Sequence, residues 1–197
     1  MKRFLFLSAL LTIALLTSCK PGFPVVTDFG NEHYKLVDQD NKEVVFPDIV
    51  KGKVTVIGYI YTNCPSICPL TTNNMNKIQQ KIKTDGVKNV EFISLSFDPD
   101  ADTPDVLKQY ADVRNLDLSN WELLTGQKDV VDSLISKADV FVVKSDSTVF
   151  QDGRKVYYYV HTDRIALIDQ DGRIRKNYSG SKINVDEIVN DIESMAD

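Results

Sequence analysis

Eight consecutive residues, Val54-Thr55-Val56-Ile57-Gly58-Tyr59-Ile60-Tyr61, carry no charge and are rich in β-branched and aromatic side chains. A strand with one face in water alternates apolar and polar residues, so a run this continuous fits a central parallel strand covered on both faces. Parallel strands need crossover connections, usually helices. The run therefore points to an α/β chain.

The flanking segments agree. Residues 33–38 and 42–46 bracket the polar turn Gln39-Asp40-Asn41 and read as a hairpin. Pro69 suits the first turn of a helix, and Met75, Ile78 and Ile82 recur at three- and four-residue spacing up to Gly86. Residues 90–97 read as a second strand, 103–113 as a helix with Val106, Leu107 and Tyr110 inward, and 121–124 as a short strand. Val130, Val131, Leu134, Ile135 and Ala138 mark another helix. Residues 141–143 and 157–160 read as a strand pair, 164–168 and 173–178 as a hairpin about Asp169-Gln170-Asp171-Gly172, and 183–195 as a closing helix. Strands alternating with helices, then an antiparallel hairpin and a last helix, is the order of a thioredoxin-like domain. The expected fold is a three-layer α/β/α domain with a central mixed sheet and an N-terminal β-hairpin, without internal repeats.

The N-terminus stands apart. Lys2-Arg3 precedes an apolar run over residues 4–16 broken only by Ser8 and Thr12, too short to span a bilayer and typical of a secretory signal. It closes on Leu16-Thr17-Ser18-Cys19, which resembles the bacterial lipobox, where the signal is cut and the cysteine acylated. Pro21-Gly22 and Pro24 then suggest a short tether. The expected organisation is a signal peptide over 1–18, a lipidated tether over 19–31 and one folded domain over 32–197, extracytoplasmic and lipid-anchored to a bacterial membrane.

Losing residues 1–18 removes two basic and no acidic groups from totals of 23 and 28, moving the formal charge from −5 to −7. An acidic balance argues against a nucleic-acid partner and against polybasic attraction to lipid. Only three cysteines occur, so stability must come from an apolar core rather than a disulfide framework. Export implies an oxidising compartment, and with Cys19 acylated the thiols left are Cys64 and Cys68.

Cys64-Pro65-Ser66-Ile67-Cys68-Pro69 lies just past the central strand, at the head of the next helix, where α/β folds commonly place function. Two thiols four residues apart sit within one turn of each other, and a helix N-terminus favours the thiolate, the form that binds metal and attacks disulfides. Thioredoxin-type oxidoreductases use Cys-x-x-Cys; here one more residue intervenes.

Tyr61-Thr62-Asn63-Cys64-Pro65-Ser66-Ile67-Cys68-Pro69 resembles the signature of the Sco/SenC family of copper proteins. Asp98-Pro99-Asp100-Ala101-Asp102-Thr103-Pro104 resembles that family's Asp-Pro-x-x-Asp-Thr-Pro segment. His161, within Tyr159-Val160-His161-Thr162, falls where the family places its third copper ligand, and Ile168-Asp169-Gln170-Asp171-Gly172-Arg173 resembles the hairpin that follows. The resemblance runs from about Lys35 to the end of the chain.

It implies a copper chaperone for the dinuclear copper site of a respiratory cytochrome oxidase. Cys64, Cys68 and His161 would be its metal ligands, and Cys64 and Cys68 also a redox-active disulfide pair served by an upstream thiol reductant. Two thiolates and one imidazole make a soft site that suits Cu(I), or Cu(II) with a further donor; structural zinc would want a fourth protein ligand. Asp98 and Asp102 read most simply as helix capping around Pro104. His33 reads as an exposed hairpin residue, and Met75 and Met195 as core positions. The competing readings are a thiol-disulfide oxidoreductase with Cys64 as nucleophile and Cys68 as resolving thiol, and a copper or redox sensor. A peroxidase is disfavoured, since no peroxide-activating arginine is evident beside Cys64.

Overall fold

The structure is a computed structural model and describes residues 22–151 and 155–196. In chain order its strands and helices are β1 (Thr27–Asp28), β2 (Tyr34–Asp38), β3 (Glu43–Phe46), β4 (Val54–Ile60), α1 (Ile67–Asp85), β5 (Val90–Ser96), α2 (Pro104–Val113), β6 (Trp121–Gly126), α3 (Lys128–Lys137), β7 (Val142–Lys144), β8 (Thr148–Val149), β9 (Lys155–Val156), β10 (Tyr159–His161), β11 (Ile165–Ile168), β12 (Arg173–Tyr178) and α4 (Val185–Ala196).

Eight strands form one mixed sheet in the order β1-β12-β11-β4-β5-β6-β2-β3, with β4, β5 and β6 parallel and the other pairings antiparallel. Every residue of β4 is buried, as its unbroken apolar run requires. The register places Gly58, Ser94 and Leu123 side by side on one face, and α1 lies over it. A Cβ on Gly58 would come within 2.5 Å of the Met75 Sδ, so glycine at this strand position lets the helix settle close to the sheet. Leu36 and Tyr34 project from the other face, where α3 covers β2 and β6. Helices on both faces of a mixed sheet give the three-layer architecture expected from the order of elements.

Caps and turns follow the sequence signals. Gly86 ends α1 in the left-handed conformation at φ 76°, with its N–H on the Ile82 carbonyl. Pro104 opens α2, and the Thr103 side chain accepts from the Val106 N–H. Thr103, rather than Asp98 or Asp102, is thus the cap of that helix. The expectation for the two aspartates fails because both are drawn inward, at 1% and 0% exposure, by hydroxyl donors around the site.

The segment expected as a tether is partly folded. Thr27 and Asp28 pair with Ile174 and Arg173 at the sheet edge, and Phe29 is 1% exposed against Tyr34 and Phe46. Isolated apolar residues in a Pro- and Gly-containing stretch give no period, yet one aromatic side chain reaching a core is enough to fix its neighbours. The folded unit begins before residue 32. The signal segment and Cys19 lie outside the described residues.

Candidate metal centre

The site is built where β4 hands over to α1. The chain leaves the sheet at Ile60, the Cys64 N–H donates to the Tyr61 carbonyl at 3.3 Å, and α1 starts at Ile67. Its N-cap position, Ser66, makes no side-chain cap bond. The Cys64 Sγ supplies one acceptor instead, taking the Cys68 N–H at 3.4 Å, so a first-turn amide that would otherwise be orphaned is satisfied by sulfur. Pro69, the third helical residue, has no N–H to satisfy. Cys64 is 8% exposed and Cys68 fully buried, and both are free cysteines.

The third side chain arrives from far along the chain. Strands β7 and β10 form a separate two-stranded sheet, with His161 opposite Val142. The His161 Nε2 stands 3.8 Å from the Cys68 Sγ, while Nδ1 lies 3.0 Å from the Thr162 carbonyl. A carbonyl only accepts, so Nδ1 carries the hydrogen and Nε2 faces the thiols. The ring packs against Phe97 at 4.9 Å and edge-on to Tyr61 at 6.2 Å. Donor atoms of Cys64, Cys68 and His161 all lie within 4.8 Å of one another, and no further histidine, cysteine or carboxylate joins that group among the described residues.

The electrostatics separate the two thiols. Hydrogen bonding from the Cys68 thiol, with help from His161 and the Cys68 and Ser66 amides, overcomes burial and pulls the Cys64 thiol down to about 3. Cys68 is pushed up by its bond to Cys64 and by burial. Burial works against the imidazolium of His161, but contact with Cys64 and the Thr162 carbonyl outweigh it, so its pKa is raised. The reduced, metal-free centre therefore favours the thiolate at Cys64 over Cys68, with the His161 ring beside the pair. A soft cation bound there would take the place of the shared protons.

The other candidates are elsewhere. His33 is 68% exposed, with Nδ1 3.9 Å from an Asp48 oxygen. Met75 is buried beneath Gly58, and Met195 packs at the core margin. The Asp98 carboxylate accepts from Tyr157 and Tyr159, and Asp102 from Thr62 and Ser96. The sequence reading missed this aromatic layer of Tyr61, Phe97, Tyr157 and Tyr159. Its signal was available: Tyr157, Tyr159 and His161 are spaced by two, and alternate residues of a strand share a face.

Two cysteines at a strand-to-helix switch and a histidine from a later hairpin define a thioredoxin-like protein with a three-donor thiolate and imidazole centre. The sequence model of the SCO1/SenC family matches residues 26–197, and the chain belongs to that family. Three solved structures resemble it closely. One is a SCO1/SenC family lipoprotein from Bacillus anthracis, 32% identical, TM-score 0.72, covering 87% of this chain and 96% of that one. Another is ScoI of Bradyrhizobium japonicum with copper bound, 29% identical, TM-score 0.68, covering 83% and 97%. The third is BsSco, described as a Sco-family cytochrome c oxidase assembly protein with a disulfide switch, 28% identical, TM-score 0.71, covering 89% and 98%.

Proposed function

We propose that this protein binds copper through Cys64, Cys68 and His161 and delivers it to the dinuclear copper site of a respiratory cytochrome oxidase. The observation that carries the reading is the gathering of two sulfurs and one imidazole nitrogen within 4.8 Å, with no fourth histidine, cysteine or carboxylate in the group among the described residues. That set suits soft copper and leaves a coordination position open to an incoming ligand, which transfer by ligand exchange requires. The copper-bound ScoI structure and the assembly role stated for BsSco support the same reading. Cys64 and Cys68 are also its redox pair, kept reduced by an upstream thiol donor. The N-terminal segment anchors the protein outside the cytoplasm through acylated Cys19, in keeping with the lipoprotein from Bacillus anthracis.

A second reading is favoured by the unequal thiols. Thiolate is favoured at Cys64, 8% exposed, over the fully buried Cys68, an arrangement suited to disulfide reduction. Cys64 attacks an acceptor disulfide and releases one thiolate, then Cys68 closes the Cys64–Cys68 disulfide and releases the second; two electrons pass to the acceptor. Anaerobic copper titration of the reduced protein, followed by absorption and EPR spectroscopy, tests the first reading. One equivalent bound with thiolate-to-copper charge transfer supports it, and binding that survives loss of both cysteines refutes it.

A further inference from the structure

We propose that Asp98 is a positioning residue that holds His161 over the two thiols, and that a buried polar chain ties the His161 strand to the cysteine loop. The inference rests on the three-donor reading above.

His161 belongs to β10, which among the described residues pairs with β7 alone and takes no part in the eight-stranded sheet. A lone two-stranded ribbon is marginal in water, and the outer face of this one is bare, with Val143 and Val160 at 47% and 65% exposure. What fixes His161 must therefore act on the inner face. There the Tyr159 ring meets Tyr61 at 5.0 Å and Phe97 at 5.3 Å. Its hydroxyl donates to Asp98 Oδ1 at 2.9 Å, and the Tyr157 hydroxyl donates to Asp98 Oδ2 at 2.5 Å. One buried carboxylate thus grips two alternate residues of the segment that ends in His161.

The grip is connected to the thiols. The Asp98 N–H donates to the Ser96 Oγ at 3.1 Å, whose hydroxyl donates to Asp102 Oδ2 at 2.5 Å. Asp102 in turn accepts from the Thr62 N–H at 3.0 Å and the Thr62 hydroxyl at 2.5 Å, two residues before Cys64. Hydrogen bonds onto a desolvated acceptor gain strength from the low local dielectric. The chain gives the imidazole and the cysteine loop a common frame, although neither aspartate joins the group of donor atoms.

The test compares the full-length protein with Asp98→Ala, Asp98→Asn and Tyr159→Phe. In the metal-free state, Asp98→Ala is expected to speed amide exchange in β10 by at least about tenfold, the order expected for losing hydrogen bonds to a charged group, with β4 and β5 unchanged. With Cu(II) added, its EPR spectrum should lose imidazole nitrogen hyperfine coupling while thiolate charge transfer persists. Asp98→Asn, which keeps an acceptor oxygen, should fall between. Tyr159→Phe removes one hydroxyl and keeps the ring, and should move both readouts the same way by less if Asp98→Ala does not fold. Unchanged β10 exchange and unchanged nitrogen coupling in these variants would overturn the proposal. Looser β10 in Asp98→Ala, in a protein whose wild type binds copper without nitrogen coupling, would uphold the clasp and reject the three-donor reading instead.

Discussion

The His161 Nε2 lies 3.8 Å from the Cys68 Sγ although 93 residues separate them in the chain. Because Nδ1 is committed to the Thr162 carbonyl, the imidazole offers its other nitrogen to the thiols without a tautomer change. Cys64→Ser, Cys68→Ser and His161→Ala should each weaken copper binding by more than the roughly 10–100-fold typical of changes outside the ligand set. Thiolate charge-transfer absorption should vanish in either cysteine variant. His33→Ala should match wild type. Competition titration against a chelator checks this, and wild-type affinity in His161→Ala would remove the histidine from the ligand set.

Copper and the disulfide should exclude one another. Joining Cys64 to Cys68 consumes two of the three donors, so the oxidised protein should lose nearly all its copper affinity, and bound copper should slow oxidation of the dithiol. The discriminating assay gives the reduced, metal-free protein a disulfide-bonded acceptor under turnover conditions and repeats it with copper. Stoichiometric reduction at most supports a chaperone. Rapid catalytic turnover that persists in His161→Ala supports a dedicated reductase.

Membrane attachment should depend on Cys19. Cys19→Ser is expected to release the protein from the membrane fraction or stall its processing, since acyl chains would be its only firm hold. No helix among the described residues is long and apolar enough to cross a membrane. Wild-type protein found wholly in the soluble fraction after export would refute the anchor.

Acid should weaken the fold partly through Asp169, which caps the β11–β12 turn. Burial raises its pKa, but Arg175 at 2.7 Å, Arg173 at 2.9 Å and the amides of Asp171 and Arg173 outweigh this and leave it below the ordinary carboxylate value. A carboxyl held below its unfolded value contributes stability that is complete above that value, about 3.9, and is lost as pH falls through the folded one. Asp169→Asn should cost about 1–3 kcal/mol at neutral pH. It should also flatten the fall in urea midpoint below about pH 4; an unaltered profile would exclude Asp169 as a contributor.

Much of this was legible locally. The buried run of β4, the spacing of Met75, Ile78 and Ile82, the Thr103-Pro104 start and the Gly86 stop are signals whose causes lie within one or two turns of chain. They placed Cys64 and Cys68 at a helix N-terminus correctly, because the chain must turn from β4 into α1 within the few residues that hold both cysteines. A lone histidine carries no such signal. His161 was found only through resemblance to a family, and Phe29 and β1 were missed because their partners, Tyr34, Phe46 and β12, come from other parts of the chain.

Periodicity, capping and short spacing act over a few residues, so the α/β class, the central strand and the dithiol at its end follow from local sequence. That Nε2 of His161 faces the thiols is set instead by contacts across the fold. Such contacts also favour the thiolate at Cys64 over Cys68, and turn Asp98 and Asp102 to tyrosine and threonine hydroxyls instead of capping α2. Those outcomes depend on how a two-stranded ribbon seats on an aromatic layer, where burial and hydrogen bonds between residues tens of positions apart fix each side chain.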